Sequence, residues 1–378
     1  MLKTFLYRLY PKKSQEKEFL KWLKECRWLY NHFLEERKTI YEKTNQNLGY
    51  YQQNKEIPYL KDKCPSLKSV YSQILQDVAM RVDLAFKAFF KRIKSGETPG
   101  YPRFKGYGRY HSFTYPQAEN CCWFFKDKIR FSKLGEIKAV MDRSIEGRMK
   151  TCTIKKSPTG KWYASFICET QRSKYLEYSP DKIGIDVGLN CFAALSSGSK
   201  IRNPRFFRAE EKALAKVQSK RDKSLKDSPE RTRKNKAVTR IHERISFRRK
   251  NFAHQQSRKL VNRFGFIAVE DLEVNRMLQN RRLSKSISDA AWSMFFSFLL
   301  YKAANAGRII VRVNPAYTTQ TCSSCGERQK LNLSQRQYLC PHCKLNMDRD
   351  LNASLNILRL GLQSVGVESL EAPTLVGE

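Results

Sequence analysis

Four cysteines near the C-terminal end of the sequence form two closely spaced pairs, Cys322-Ser-Ser-Cys325 and Cys340-Pro-His-Cys343, with 14 residues between the pairs. Two residues between thiolates let one turn present both sulfurs to a single ion, and two such turns complete a tetrahedral Zn²⁺ site. A thioredoxin-like redox pair would explain one of these motifs but not both. The spacing therefore predicts a structural zinc site without an open coordination position, at which His342 is a neighbour and not a ligand.

The other cysteines are scattered and are interpreted as ordinary buried thiols: Cys26, Cys64, Cys121, Cys122, Cys152, Cys168 and Cys191. The N-terminal segment, which Lys3 and Arg8 interrupt, does not resemble a signal peptide. The longest uncharged apolar stretch, Ala290–Tyr301, has 12 residues, which is short of the ~20 that span a bilayer. We therefore expect a cytoplasmic, nucleoid-associated prokaryotic protein with no membrane partner and no disulfide scaffold.

Positive charge dominates the composition, because 72 Lys and Arg residues stand against 36 Asp and Glu, a net charge of +36. A small domain carries a net charge of roughly 2–8 in magnitude. The excess predicts a polyanionic partner, and nucleic acid is the first candidate.

Residues 201–260 concentrate this charge, with 20 Lys and Arg against 6 Asp and Glu, a net +14. Val238, Ile241 and Ile245 keep a helical apolar stripe through the stretch, which favours a structured helix with a basic face over a disordered tail. The residues expected to face phosphates are Arg231, Arg233, Lys234, Lys236, Arg240, Arg244, Arg248, Arg249 and Lys250.

Strand and helix patterns divide the first half of the chain. Residues 1–10 alternate apolar and polar side chains and predict a strand that ends at Pro11. Three- and four-residue apolar spacing predicts one helix from Ser14 and another over about 67–93, both with an apolar stripe in the core. Short β-like runs within 112–170 predict a small β-domain that the first strand joins.

Acidic residues in three settings call for a positive partner. Asp186 interrupts an apolar strand, Glu270 ends another, and Asp348 and Asp350 open a helix. Because a buried unpaired charge is costly, this layout suits two Mg²⁺ ions about 3.5–4 Å apart for phosphodiester hydrolysis. Taken singly, Asp348 or Asp350 is also typical of a helix cap, and Glu270 of a surface acid.

These motifs together resemble those of a known family. GIDVG at Gly184–Gly188, VEDL at Val269–Leu272, and the cysteine pairs followed by DRDLNA at 348–353 resemble the split RuvC-type nuclease domain of the TnpB family. YRLYPKKSQ at 7–15 and the stretch Ala85–Lys105 are also similar to that family. Where Ser354 stands, the family more often has a second alanine.

The resemblance implies an α/β multidomain fold and assigns its parts. It places a β-barrel wedge at 1–11 and 106–178, a helical recognition domain at 12–105, an RNase H-like (RuvC) nuclease domain at 179–316 (with basic helices at 205–262) and 347–364, a zinc-binding insert at 317–346, and a disordered tail at 365–378.

The resemblance also implies an RNA-guided, Mg²⁺-dependent DNA endonuclease. A guide RNA from the transposon end would pair with double-stranded target DNA, while Tyr71 and Gln76 read a short adjacent duplex motif. The family's catalytic, magnesium-binding acids match Asp186, Glu270 and Asp350, the last because the family's acid stands two residues before an Asn, here Asn352. The sequence indicates no protein partner.

Other functions stay open on the sequence. A guided DNA-binding repressor would lack the acids, and all three are present. A CRISPR-associated compact effector would differ mainly in taking its guide from a repeat array. A guide-independent transposase is disfavoured, because the 5 His residues include no His-x-His pair.

Overall fold

The computed structural model describes residues 1–171, 175–332 and 335–366. The chain divides into two units, Met1–Gln171 and Arg172–Glu378. Within the described residues, no helix combines the length and apolarity needed to cross a bilayer. Most of the predicted tail, from residue 367 onward, lies outside the described residues.

The first unit combines a sheet with long helices. Its elements are β1 (Leu2–Tyr10), α1 (Lys13–Thr44), α2 (Tyr50–Lys63), α3 (Ser72–Lys94), β2 (Ser112–Tyr115), β3 (Cys122–Phe124), β4 (Lys128–Phe131), β5 (Gly135–Val140), β6 (Arg148–Lys156) and β7 (Trp162–Glu169). The strands are hydrogen-bonded in the order β2-β6-β7-β1-β5-β4-β3. Strand β1 pairs with both β7 and β5, which confirms that the first strand joins the β-domain. Closure of this sheet into a barrel stays a prediction.

The helices of this unit match the sequence in part. The apolar stripe of α1 is buried as predicted, from Phe19 to Phe33. The second predicted helix ends as predicted, since α3 ends at Lys94, but it begins later, at Ser72 after a 3₁₀ turn at Pro65–Ser69. Ile93 was predicted to lie in the apolar stripe, and it is 48% exposed because the last turns of α3 extend beyond the core. Helix α2 was not predicted, and it contains Pro58, a residue that normally interrupts helices.

The second unit is built around a mixed five-stranded sheet. Its elements are β8 (Lys182–Val187), β9 (Cys191–Leu195), β10 (Lys200–Arg202), α4 (Phe206–Asp222), α5 (Pro229–Arg263), β11 (Phe266–Glu270), α6 (Val274–Met277), α7 (Ser284–Ala290), α8 (Trp292–Ala306), β12 (Ile309–Val313), β13 (Gln337–Leu339), β14 (Asn346–Asp348) and α9 (Arg349–Ser364). The sheet order is β10-β9-β8-β11-β12, in which β8, β11 and β12 are parallel. Helices α5 and α8 pack together, and α9 packs on β8 and β11.

Strand alternation separates two cores in this sheet. Ile185 and Val269 belong to the core formed with α5 and α8. Ala268 belongs to a second core with Ile357 of α9. Because successive side chains of a strand point to opposite faces, even-numbered positions of β8 and β11 face α9.

Candidate functional site

Asp186 and Glu270 lie side by side on the face of the sheet that α9 covers. Ile185 and Val269 are partners in the parallel register of β8 and β11, so the next residue of each strand is an acid. Both acids are 8% exposed. Glu270 is therefore not the surface acid that one interpretation of the sequence allowed.

Helix α9 brings Asp350 to these two acids. Its N-cap is Asp348, whose carboxylate accepts hydrogen bonds from the backbone N–H groups of Asp350 and Leu351. Asp348 also forms an ion pair of 2.6 Å with Lys200. Asp348 is thus the cap, and Asp350 lies in the first helical turn with its side chain 19% exposed.

The electrostatics of the acids reflect their burial and mutual repulsion. Burial raises the pKa of Asp186 well above its ordinary value, the charges of Glu270 and Asp350 raise it further, and Arg349 acts in the opposite direction. Burial also raises the pKa of Glu270, against a hydrogen bond of 2.6 Å that the Thr318 hydroxyl donates to Oε1 of Glu270. These shifts indicate a site that favours added positive charge.

The donor set fits a divalent cation. Carboxylate oxygens are the ligands that Mg²⁺ prefers, and a cation would relieve the repulsion around Asp186. Among the His, Cys, Asp and Glu residues that the structure describes, the four cysteines are the one group of three or more whose donor atoms all lie within 4.8 Å of one another. At least one pair of the three carboxylates is therefore farther apart than this.

One cysteine belongs to this site. Cys191 is half-buried at the start of β9, and its Sγ lies 3.9 Å from Oδ2 of Asp350 as a hydrogen-bond donor. The interpretation of Cys191 as an ordinary buried thiol was wrong, because β9 starts at the edge where the acids meet.

The cysteine pairs form a compact cluster as predicted, made of Cys322, Cys325, Cys340 and Cys343. The Sγ atoms of Cys322 and Cys343, and those of Cys325 and Cys340, are 3.6 Å apart. Hydrogen bonds from the backbone N–H of Leu345 and from the other three cysteines lower the pKa of Cys343 to about 6, and the thiolate is the form that binds zinc. Four sulfur donors at these distances fit a zinc ion. The cluster does not include His342.

Both turns of the cluster have the same backbone design. Gly326, four residues after Cys322, has a φ of 79°, and its N–H donates to the Cys322 carbonyl. Lys344 occupies the same position after Cys340, with a φ of 61° and the equivalent hydrogen bond. Left-handed backbone at this position closes each turn around its two sulfurs.

The predicted basic residues fall into two groups on α5. Some are engaged within the protein: Arg244 and Arg248 pair with Glu210, Arg249 pairs with the buried Asp289, Arg231 donates to backbone carbonyls, and Lys234 pairs with Glu230. Arg233, Lys236, Arg240 and Lys250 are exposed. Of these, Lys236, Arg240 and Lys250 make no ion pair or hydrogen bond with any residue that the structure describes, which leaves them available to phosphates.

Tyr71 and Gln76 lie in the first unit. Tyr71 is the N-cap residue of α3, and its ring packs against Tyr115 at 5.5 Å. Gln76 is exposed on α3.

Several residues of the site were missed by sequence reasoning. Thr318 donates a hydrogen bond to Glu270, and Lys200 forms an ion pair with Asp348. Gly184 lets α9 approach, because a methyl group there would overlap the backbone of Ser354. The sequence offered one signal for this close approach of α9, namely a glycine two residues before the strand acid Asp186. Gly184 and Asp186 lie on the same face of β8.

Three family models match this chain. The first 46 residues match a model described as "Helix-turn-helix domain", residues 165–281 match OrfB_IS605, "Probable transposase", and residues 292–357 match "Cas12f1-like, TNB domain". The structure forms β1 and the single long helix α1 within the first of these segments.

Similar proteins span nearly the whole chain. A protein of Streptomyces pristinaespiralis named "Putative RNA-guided DNA endonuclease" is 32% identical over 95% of this chain and 89% of its own length. "Putative RNA-guided DNA endonuclease InsQ" of Escherichia coli (strain K12) is 28% identical over 95% of this chain and 92% of its own.

Two solved structures share the fold. "Cryo-EM structure of the Cas12f1-sgRNA-target DNA complex" matches with a TM-score of 0.57 and 16% identity, over 94% of this chain and 98% of the other. "Structure of the mini-RNA-guided endonuclease CRISPR-Cas_phi3" matches with a TM-score of 0.52 and 10% identity, over 96% and 92%.

Proposed function

Because this chain belongs to the TnpB family, we propose that it is an RNA-guided DNA endonuclease that hydrolyses target DNA at Asp186, Glu270 and Asp350. The observation that carries the proposal is the convergence of these acids, two of them buried on neighbouring parallel strands. The strand order of the sheet supports an RNase H-like domain, in which α9 supplies the third acid.

The residues of the site divide the chemical work. Two Mg²⁺ ions bound by the three carboxylates would activate the attacking water and stabilise the leaving oxygen. Asp186 interacts electrostatically with both of the other acids, since the charges of Glu270 and Asp350 each raise its pKa. Thr318 orients Glu270, and the Asp348 cap fixes the first turn of α9.

The partners follow from the charge and from the relatives. We propose a guide RNA from the transposon end and double-stranded target DNA, with base pairing supplying sequence specificity. The recognition domain at 12–105 and the wedge at 1–11 and 106–178 would hold the guide and the duplex, with Tyr71 and Gln76 at the adjacent motif. The exposed lysines and arginines of α5 would contact phosphates.

The test begins with the RNA that copurifies with the full-length protein. We expect one defined RNA, which then serves as the guide for cleavage of a DNA library with randomised flanking sequence. Asp186→Asn should bind the same guide and target with little change and should not cut.

Four other outcomes would contradict or redirect the proposal. Heterogeneous RNA of no fixed origin would contradict the guided function. Guided binding without cleavage by the wild type would favour a repressor-like protein, and a guide encoded by a repeat array would favour a CRISPR-associated effector. Full cutting by Asp186→Asn would overturn the assignment of the acids.

A further inference from the structure

A short, partly buried segment, residues 318–323, follows strand β12 and includes the first cysteine of the cluster, Cys322. We call it the connecting segment. Thr318 at its start is 3% exposed, and Cys322 near its end is 0% exposed. It contacts Glu270, helix α9 and the cysteine cluster, all within the second unit.

The first contact is with a strand acid. The hydroxyl of Thr318 donates a hydrogen bond of 2.6 Å to Oε1 of Glu270. Both side chains are buried, and a carboxylate rotamer held by a buried donor is restricted in its orientation. Thr318 therefore restricts the orientation of the Glu270 carboxylate through its Oε1 atom.

The second contact is with the helix that carries Asp350. Asn352 donates to the carbonyl of Thr321 at 2.7 Å and accepts from the N–H of Ser323 at 2.8 Å. Asn356, one turn later, donates to the carbonyls of Thr318 at 2.9 Å and Thr321 at 2.6 Å. Both amides are at most 1% exposed, so these backbone groups are their partners in place of water.

The third contact is with the cysteine cluster itself. Cys322 stands in the chain between the Thr321 carbonyl and the Ser323 N–H, the groups that the Asn352 amide holds. Its own N–H donates to the Glu327 carbonyl, and its carbonyl accepts from Gly326. A zinc ion bound to Cys322 would fix the end of the segment to which the Asn352 amide is hydrogen-bonded.

We infer that the connecting segment couples zinc occupancy of the cysteine cluster to the placement of Glu270 and Asp350, with Thr318, Asn352 and Asn356 as positioning residues. The effect on cleavage rests on the proposed function, whereas the effect on the acids themselves does not. Loss of zinc then loosens two of the three acids, although the four cysteines of the cluster are not members of the acid site.

Hydrogen exchange on the full-length protein tests the coupling directly. The zinc-loaded protein is compared with protein treated with a zinc chelator, and exchange is followed in peptides covering 266–271, 318–323 and 349–356. We expect chelation to speed exchange in all three. Faster exchange confined to residues 322–345, with 266–271 and 349–356 unchanged, would overturn the coupling.

Substitution of Thr318 isolates one link while zinc stays bound. Thr318→Val keeps the branched shape and removes the donor, Thr318→Ser keeps the donor, and Thr319→Val is the matched control on the same segment. Binding of Mn²⁺ is measured by titration together with zinc content. Because residues that orient metal ligands typically contribute 10–100-fold to affinity, we expect Thr318→Val to weaken Mn²⁺ binding about tenfold at unchanged zinc content.

The conservative variant separates positioning from simple structural damage. Thr318→Ser should restore Mn²⁺ binding, and Thr319→Val should leave it as in the wild type. Equal Mn²⁺ affinity of Thr318→Val and the wild type would contradict the role of Thr318. If the wild type cuts no guided substrate, the proposed function fails, but the exchange and Mn²⁺ results still decide the coupling.

Discussion

Gly184 of strand β8 lies against the backbone of Ser354 in helix α9, so closely that a methyl group at Gly184 would overlap the Ser354 carbonyl oxygen and the side chain of Leu358. Gly184 and Asp186 are on the same face of β8, and Asp350 lies one turn before Ser354. The absence of a side chain at Gly184 therefore sets the distance between two of the acids.

The substitution Gly184→Ala should displace α9 from the sheet. Overpacking of a well-packed contact costs about 1–3 kcal/mol, and the backbone oxygen here has little freedom to move. We expect a lower midpoint of thermal unfolding and weaker Mn²⁺ binding. Gly100→Ala, at an open position, is the control, and equal Mn²⁺ binding by both variants would contradict this account.

Removal of one buried charge should stabilise the metal-free protein. Asp186 is 8% exposed and is repelled by Glu270 and Asp350. Asp186→Asn keeps the shape, so we expect the free energy of unfolding of the zinc-loaded protein without Mg²⁺ to rise by about 1–3 kcal/mol. Thermal unfolding with and without Mg²⁺ measures this, and the gain should shrink when Mg²⁺ is present. Asp271→Asn, a control at an exposed acid paired with Arg312, should show no such gain.

The cysteine cluster should account for the bound zinc. Cys322→Ser removes a buried sulfur donor, and three remaining thiolates bind zinc more weakly than four. We expect zinc content to fall from about one ion per chain toward zero, with a destabilised second unit. Elemental analysis measures the zinc, and Cys64→Ser in the first unit should keep it. Unchanged zinc in Cys322→Ser would count against a four-cysteine site.

The exposed cations of α5 should act through phosphates. Lys236, Arg240 and Lys250 are exposed, and each phosphate contact that is lost lowers the salt slope of binding by roughly 0.7–0.9. Replacing all three by Gln should weaken RNA binding and reduce that slope by about two to three. Arg249→Gln, which breaks the pair with buried Asp289, should instead lower stability with a smaller change in slope. The reverse pattern would show that the assignment of these residues is mistaken.

The first unit should lose stability as the pH rises through 7. Burial, together with a hydrogen bond to Glu36, raises the pKa of Glu56 to about 7. The folded state holds this proton up to a higher pH than the unfolded state, so the stabilisation is present below about pH 4.5 and is lost as the pH passes 7.

Glu56→Gln removes this dependence. We expect the variant to match the wild type at pH 5 and to be more stable at pH 8.5, by on the order of 1 kcal/mol because the partly exposed pair is screened by solvent. Denaturant unfolding at the two pH values measures the difference, with Glu42→Gln as an exposed control on α1. A stability gain that is equal at both pH values would contradict the raised pKa of Glu56 in the folded protein.

Local patterns predicted a large part of this protein. The cysteine spacing, the strand at residues 1–10, and the apolar stripes of α1 and α5 depend on residues close together in sequence, and the structure confirms them. The pairing of the first strand with the β-domain was also predicted, although it joins residues far apart in the chain. Helix α2 was missed because Pro58 argues against a helix locally, while burial of Gln53, Ile57 and Leu60 against the rest of the unit outweighs that preference.

The sequence by itself determined which chemical groups are available: four thiols at ligand spacing, acids embedded in apolar strands, and a basic helix. The tertiary structure alone decided how they are used. The register of β8 with β11 places Asp186 beside Glu270, the closeness of α9 to Gly184 adds Asp350, and capping commits Asp348 to the helix. These choices, like the burial of Arg249 against Asp289, depend on strand pairing and side-chain packing between residues far apart in the chain, which no local pattern specifies.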